Sequence, residues 1–212
     1  MNTKLTALAL AAALSTVAAV PASAAVVAYN SLSAFNAAVV GASSHNFEGI
    51  APANAYVSGG NFTVDGVNFA AVGGAGFVID ANAGYASYGA SFFTAQNPSN
   101  VSVTLGGATA IGFFYGSYAG NGSDGTASLS TGDAFQFQMP AQSGVDLNFI
   151  GFVSDSDLLT SVSFSSSSLV LDFTQFVLAR ADVSNHVPEP TSLLLVGGAL
   201  LGLGAARRRA AK

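Results

Sequence analysis

Hydrophobic and polar residues alternate with a period of two along most of the chain after residue 47. The alternation is clearest in six segments, at residues 101–105, 111–115, 135–139, 147–153, 162–164 and 169–178. This period is typical of β-strands, and turn pairs such as Asp65-Gly66 separate the segments at intervals of about 8–12 residues. The apolar run around Gly151 is predicted either to be buried on both faces or to bulge. The pattern predicts an all-β fold, a jelly-roll-like β-sandwich that forms one domain over residues 25–186.

One segment before residue 47 has a helical period instead. Three apolar residues share one helical face there: Leu32, Phe35 and Val39. Ser31 or Ser33 can cap the N-terminus by accepting a hydrogen bond from a backbone amide of the first turn. We therefore expect a short helix at about residues 31–40, ahead of the sandwich.

Composition excludes several classes of protein. The 212 residues are 50% apolar and 8% charged, which is too hydrophobic for a disordered chain. The chain has no cysteine, which excludes a disulfide framework, a thiolate metal site and a cysteine nucleophile. Between residues 25 and 187 a single basic residue, Arg180, stands against ten acidic ones, so this part carries a net charge of −9. So acidic a domain is not expected to bind nucleic acid.

Residues 1–24 have the organisation of a secretory signal peptide. Lys4 precedes an apolar run over residues 5–20, and Ala22-Ser23-Ala24 places small residues at the positions that signal peptidase accepts. We expect cleavage after Ala24. The alternative is an uncleaved N-terminal membrane anchor.

The C-terminus combines three features in a fixed order. Pro188, Glu189 and Pro190 come first, an apolar and Gly-rich segment over residues 191–206 follows, and three arginines stand close to the chain end: Arg207, Arg208 and Arg209. Sixteen helical residues span about 24 Å, somewhat less than a bilayer core of about 30 Å. We expect a short transmembrane helix, with the arginines stopping transfer on the cytoplasmic side. Such a segment is either part of a sorting signal or, as the alternative, a simple C-terminal membrane anchor.

This order of features resembles the PEP-CTERM sorting signal of exported Gram-negative proteins. The signal would occupy residues 187–212, and Pro188, Glu189 and Pro190 match its motif residue by residue. The resemblance implies that an exosortase-like membrane protease processes the tail near the motif. It implies a protein first anchored in the inner membrane by its C-terminal helix, then located in the outer envelope, at the cell surface or outside the cell. An association with exopolysaccharide and biofilm is implied in the same way.

The middle of the chain resembles the β-sandwich domains that often precede such tails, and through them carbohydrate-binding jelly rolls. The residues that prompt the comparison are Phe47-Glu48-Gly49, the segment 149–160 and Leu171-Asp172-Phe173. In many of those domains a structural calcium ion lies between an early Glu and a late Asp. The resemblance implies Glu48 and Asp172 as ligands of a structural calcium here, and Ca²⁺ does prefer such oxygen ligands. The alternative is that both are ordinary residues at the rim of the sandwich.

Catalytic chemistry finds little support in the sequence. The only histidines are His45 and His186, and no Gly-x-Ser-x-Gly nucleophile elbow surrounds any serine. A Ser-His-Asp triad that uses His45 is one interpretation, but a solvated loop histidine is the one we favour. Nothing in the sequence brings Glu48 opposite a particular Asp, as a glycosidase would require. We therefore expect no enzymatic activity.

Four tyrosines near Gly-, Ser- and Asn-rich turns are candidates for stacking against sugar rings: Tyr85, Tyr88, Tyr115 and Tyr118. The alternative is that they are half-buried framework residues. Taken together, these features predict an exported, non-enzymatic cell-surface or extracellular-matrix protein. The second hypothesis is a carbohydrate-binding module of the matrix, and the third is a secreted hydrolase.

Overall fold

The computed structural model describes residues 26–83, 88–96, 100–117, 124–139, 147–155, 157–167 and 170–182. These residues contain fourteen strands and one helix. In chain order they are β1 Val26–Tyr29, α1 Leu32–Ala37, β2 Val39–Asn46, β3 Tyr56–Ser58, β4 Asn61–Val64, β5 Val67–Ala71, β6 Ala75–Ile79, β7 Phe92–Gln96, β8 Val101–Ala108, β9 Ala110–Gly116, β10 Asp124–Leu129, β11 Ala134–Gln138, β12 Asn148–Ser154, β13 Leu159–Ser166 and β14 Val170–Ala181. The predicted all-β class is confirmed.

The strands form two antiparallel sheets. The first runs β1-β12-β9-β14-β7-β6-β3, with β2 as an eighth strand beside β14, and the second runs β11-β10-β13-β8-β5-β4. Consecutive strands repeatedly change sheet, as in β7 to β8, β8 to β9, β9 to β10 and β13 to β14. These crossings place the apolar faces of the two sheets against each other and give the predicted jelly-roll-like sandwich.

The longest strand, β14, organises the first sheet. Along one edge it pairs with β9, and along the other it pairs first with β7, over residues 170–173, and then with β2, over residues 175–181. Twelve residues of β14 therefore bring together segments from the beginning, the middle and the end of the domain.

Phenylalanine supplies most of the large side chains that are fully buried in the core. Ten phenylalanine side chains are fully buried, and neighbouring rings such as Phe113, Phe164 and Phe173 pack with centroids 5.0–5.7 Å apart. Each buried ring contributes about 1.5–3 kcal/mol through removal of apolar surface from water. These rings stabilise the core of a domain that has no disulfide bonds.

The outer face of the first sheet is covered at two places. Helix α1 places Phe35 over β12, and the segment between β6 and β7 packs Ala83 and Tyr88 against Phe92. At Gly151 a Cβ atom would lie 2.5 Å from the ring of Phe35, so a larger residue would displace the helix. Strand β12 keeps a regular register with both neighbours there, and it is buried on both faces rather than bulged.

The predicted helix is present but shorter than expected. Ser31 caps it by accepting a hydrogen bond from the backbone amide of Ala34 (3.3 Å), and the last helical residue is Ala37. Val39 and Val40 belong to β2 because pairing with β14 continues to the Val39–Ala181 pair. The expectation that the helix reaches residue 40 is therefore wrong.

Candidate functional site

An open cleft of about 500 Å³ lies at the end of the sandwich where β9 and β11 end and β10 and β12 begin. Its lining is rich in amide side chains and aromatic rings: Asn30, Tyr115, Asp124, Gln136, Phe137, Gln138, Asn148, Phe149 and Ile150. A concave surface with apolar rings and a few polar groups is the usual form of a small-ligand site.

The two sheets are joined beneath this cleft by one backbone carbonyl. The carbonyl oxygen of Gln138 accepts hydrogen bonds from the Tyr115 hydroxyl (3.1 Å) and from Asn148 Nδ2 (3.0 Å). Strand β11 of the second sheet is thereby fixed to β9 and β12 of the first. The described part of the cleft wall is therefore held by hydrogen bonds as well as by packing.

Tyr115 belongs to this framework and is not an exposed platform for a sugar ring. Its side chain is 4% exposed and its ring packs edge-on against Phe137, with centroids 5.1 Å apart. Burial raises the pKa of Tyr115, so its hydroxyl stays protonated at neutral pH and can donate to Gln138. The prediction that Tyr115 offers an exposed stacking face is wrong because β9 turns this ring into the core.

The polar lining comes from strand positions that alternate with core residues. Gln136 and Gln138 are exposed and alternate with Phe135 and Phe137 along β11. Gln136 exchanges hydrogen bonds with the Thr126 hydroxyl on β10 (3.1 and 3.3 Å). This alternation predicted a strand but not a ligand site. The polar positions of the strand, Gln136 and Gln138, were the feature of the sequence that indicated these lining residues.

The two acids expected to bind calcium both hold one segment of the chain. Glu48 accepts hydrogen bonds from the Ser91 backbone amide (3.0 Å) and from the Ser91 hydroxyl (2.9 Å). Asp172 has no exposed surface, and its Oδ2 accepts a hydrogen bond from the Tyr88 hydroxyl at 2.7 Å. Through Ser91 and Tyr88, both acids hold the stretch that leads into β7.

A third acid, Asp80, fixes the beginning of the same covering segment. Its Oδ1 accepts hydrogen bonds from the backbone amides of Asn54 (2.9 Å) and Asn82 (3.0 Å). These amide donors lower the pKa of Asp80 because they stabilise the ionised carboxylate. The three acids therefore act as structural acceptors within the described part of the chain.

The calcium site stays a prediction. Among the residues that the structure describes, no three His, Cys, Asp or Glu side chains cluster as they would around a metal ion. Carboxylate oxygens of Glu48 and Asp172 already accept hydrogen bonds from Ser91 and Tyr88. A calcium ion would have to share those oxygens or displace those donors.

Most of the remaining predicted site residues lie outside the described part of the chain. Tyr88 is a half-buried framework residue, whereas Tyr85 and Tyr118 lie outside the described residues. Both predicted terminal signals also lie outside the described residues. They are the signal peptide with Ala22 and Ala24, and the C-terminal segment with the motif Pro188–Pro190, the helix at 191–206 and Arg207, Arg208 and Arg209. Within the described ranges no helix reaches the length and apolarity needed to cross a membrane.

His45 was expected in a solvated loop, and the structure places it differently. It lies in β2, where its side chain is 19% exposed and its ring stacks on Phe176 with centroids 5.1 Å apart. Both ring nitrogens have side-chain partners, Ser43 and Asp65. The loop prediction is wrong because β2 continues through residue 46 along the edge of β14.

The C-terminal segment matches a known sorting signal. Residues 186–209 match the PEP-CTERM protein-sorting motif, so the chain carries this signal and the resemblance drawn from Pro188, Glu189 and Pro190 is confirmed. A signal of this kind implies export, membrane anchoring before processing, and processing by an exosortase-type protease.

Several solved structures are distantly similar to the chain. No curated protein is similar to the chain at a significant level. Among solved structures, a family two carbohydrate esterase from Cellvibrio japonicus has 15% identity and a TM-score of 0.32 over 66% of this chain and 34% of that chain. The C-terminal family 6 carbohydrate-binding module of a laminarinase from Zobellia galactanivorans has 12% identity and a TM-score of 0.29. The match covers 66% of this chain and 99% of that module. A family 29 carbohydrate-binding module has 14% identity and a TM-score of 0.32, and the match covers 69% of this chain and 96% of that module. Similarity this low supports no statement about ligand or activity.

Proposed function

We propose that the chain is an exported cell-surface or extracellular-matrix protein that binds polysaccharide through the cleft at the end of its sandwich. The observation that carries the proposal is the lining of that cleft, where four amide side chains stand among three aromatic rings: Asn30, Gln136, Gln138 and Asn148 beside Tyr115, Phe137 and Phe149.

Amide side chains suit a ligand that is rich in hydroxyl groups. Each amide offers both donors and an acceptor, and a sugar hydroxyl can use either. The three aromatic rings are buried at the base of the cleft, with only 4–7% of their surfaces exposed, so the contacts that we propose with the sugar come from the amide side chains. The cleft volume of about 500 Å³ is within the range of small-ligand sites and would accommodate a short stretch of polysaccharide.

Charge narrows the class of polysaccharide. Among the described residues that line the cleft, Asp124 is the one charged side chain, and residues 25–187 together carry a net charge of −9. A strongly anionic polymer would be repelled at low ionic strength. A neutral exopolysaccharide is therefore the ligand class that we propose, as part of the extracellular matrix or biofilm.

Gln138→Ala tests the cleft without disturbing its framework. The framework uses the backbone carbonyl of Gln138, which the substitution retains, while the exposed amide is lost. We expect the full-length chain, purified in detergent, to be retained by neutral glycans on an array, and Gln138→Ala to weaken retention about fivefold to tenfold, as the loss of one hydrogen bond predicts.

Asn36→Ala is the matched control, because it removes an exposed amide of α1 that does not line the cleft. It should retain the glycan at the wild-type level. Equal retention by Gln138→Ala and wild type would remove the cleft as the binding site. The absence of retention on every glycan would leave an exported protein with no polysaccharide-binding role and would overturn the proposal.

The sorting step forms part of the same proposal. A membrane protease of the exosortase type would process the tail around Pro188–Pro190 in the Gram-negative inner membrane, after signal peptidase has cut behind Ala24. Support comes from the match of residues 186–209 to the sorting motif. Mass spectrometry of the mature protein tests it directly, since an intact C-terminus on the surface-exposed protein would contradict processing.

A further inference from the structure

Three side chains outside the cleft are hydrogen-bonded in series. The Ser43 hydroxyl lies 2.9 Å from His45 Nε2, and His45 Nδ1 lies 2.7 Å from Asp65 Oδ2. Serine, imidazole and carboxylate thus contact one another in the order that nucleophilic serine catalysis requires. Nothing in the proposed polysaccharide site uses these residues.

The fold holds the imidazole in one orientation. His45 is packed flat on Phe176, with an angle of 19° between the rings. Asp65 reaches it from the turn between β4 and β5, in the opposite sheet, where Asp65 and Gly66 both have positive φ (47° and 82°). Two positive φ values define a type I′ hairpin turn, for which Asp-Gly is a favoured pair. The turn fixes the position of the carboxylate that orients the ring.

A general base must be a neutral imidazole, and an ionised carboxylate can only accept a hydrogen bond. In that form of the site the proton between His45 and Asp65 is on Nδ1. Nε2 then has a free lone pair and accepts from the Ser43 hydroxyl. His45 is therefore placed to remove the proton of Ser43, and Asp65 acts as a positioning residue that stabilises the imidazolium.

The surroundings of the three residues admit a substrate. Ser43 is exposed on β2, and among the described strands β2 pairs only with β14, so it is an edge strand. Edge strands present backbone amides that have no strand partner, and such amides can donate to a developing oxyanion. An open cleft of about 380 Å³ is lined by His45 and Asp65 together with residues such as Glu48 and Thr63, and Ser43 contacts His45 from just outside this lining.

We propose that Ser43 is the nucleophile of a second, hydrolytic site that cleaves short neutral acyl esters, with His45 as general base. The carboxylates of Glu48 and Asp65 border the adjoining cleft, so an anionic acyl group is disfavoured. Asp65 is 62% exposed, and a carboxylate so well solvated stabilises the imidazolium only moderately. Esters, whose leaving group departs more easily than that of amides, are therefore the substrate class.

The proposed reaction is ester hydrolysis in two halves. Ser43 Oγ bonds to the acyl carbon while its proton passes to His45 Nε2, and the alcohol then leaves with that proton as the carbon–oxygen bond breaks. Water next attacks the acyl-serine while His45 accepts a proton from it. The acid departs, and the proton returns to Ser43 Oγ. The sum is ester plus water giving acid plus alcohol, with no further reactant.

The test uses the full-length chain in detergent with two probes, a fluorophosphonate and p-nitrophenyl acetate. We expect one fluorophosphonate adduct, located on Ser43 by peptide mass spectrometry. We expect Ser43→Ala to abolish the adduct and to lower ester hydrolysis above the buffer rate by about a hundredfold, because it removes the nucleophile and with it the step that His45 accelerates as general base. Ser163→Ala, which removes an exposed strand serine of the other sheet, should retain both signals.

Asp65→Asn tests the positioning role, because asparagine is also tolerated at positive φ and the turn should be preserved. We expect kcat to fall at least tenfold while KM stays within about twofold, whereas a merely structural defect would change both. Hydrolysis retained in Ser43→Ala, or the absence of an adduct on Ser43 in the wild type, would overturn the proposal. Glycan retention is measured on a different surface, so either proposal can fail without the other.

Discussion

Tyr88→Phe removes one oxygen atom and, with it, the hydrogen bond to the buried carboxyl group of Asp172. The two oxygens lie 2.7 Å apart, and Asp172 has no exposed surface through which water could replace the lost donor. A phenylalanine ring keeps the edge-on contact with Phe92, whose centroid is 5.1 Å away. The substitution therefore isolates the hydrogen bond from the packing of the ring.

The expected cost follows from the burial of the acceptor. Removing a donor from a buried acceptor costs about 1–3 kcal/mol. In a domain of this size, 1 kcal/mol lowers the melting temperature by about 2–4 °C. Tyr88→Phe should therefore melt about 2–12 °C below the wild type. The backbone amides of Ser91 and Phe92 should also exchange faster with solvent, because Tyr88 anchors the segment that precedes β7.

The assay is thermal unfolding of the full-length chain in detergent, together with hydrogen exchange. Tyr29→Phe is the matched control, since Tyr29 is also half-buried and its ring also packs edge-on against a phenylalanine, Phe35. It should melt within about 1 °C of the wild type, as most substitutions away from a buried polar contact do. The reasoning is refuted if Tyr88→Phe and Tyr29→Phe give the same melting temperature and the same exchange near Ser91.

Three further predictions concern the acids and the tail. Backbone amides lower the pKa of Asp80 below 3.8, so its contribution to stability is present above that pH and is lost as the pH falls through the folded-state pKa. The melting temperature of Asp80→Asn should therefore lie below that of the wild type at pH 7. The difference between the two melting temperatures should shrink as the pH is lowered toward 2, and a constant difference would contradict this prediction. If Glu48 and Asp172 bind calcium, EDTA should lower the melting temperature and added Ca²⁺ should restore it. A melting temperature that neither EDTA nor Ca²⁺ changes would contradict the calcium site. Deleting residues 191–212 should abolish retention in the cell envelope, measured by fractionation, because the matched sorting motif loses its apolar and basic parts; normal retention of the truncated chain would count against the signal.

Local sequence pattern predicted six of the fourteen strands, each at about its observed position. The alternation at 111–115 lies inside β9, which is Ala110–Gly116, and that at 162–164 lies inside β13, Leu159–Ser166. The pair Asp65-Gly66 forms the predicted turn between β4 and β5. These features are encoded locally, since the period of side-chain alternation and the tolerance for positive φ need only a few neighbouring residues.

Predictions for single side chains depended on which face of a strand became the core. Tyr115 was expected at the surface because turn-forming residues surround it, but β9 directs its ring inward, where it is 4% exposed. His45 was expected in a loop because a single polar residue near Gly and Ser gives no strand signal. Its strand exists only because β14 offers an edge for β2 to pair with.

The sequence alone determined the all-β class, the positions of six of the fourteen strands and the sorting signal, which are properties of short contiguous segments. Only the tertiary structure decided which polar groups meet. Twenty residues separate His45 from Asp65, 43 separate Glu48 from Ser91, and 84 separate Tyr88 from Asp172. The physical reason is that strand order and register depend on how two whole sheets pack. The alternation of neighbouring residues does not indicate which distant strand will supply the hydrogen-bond partner of a given carboxylate.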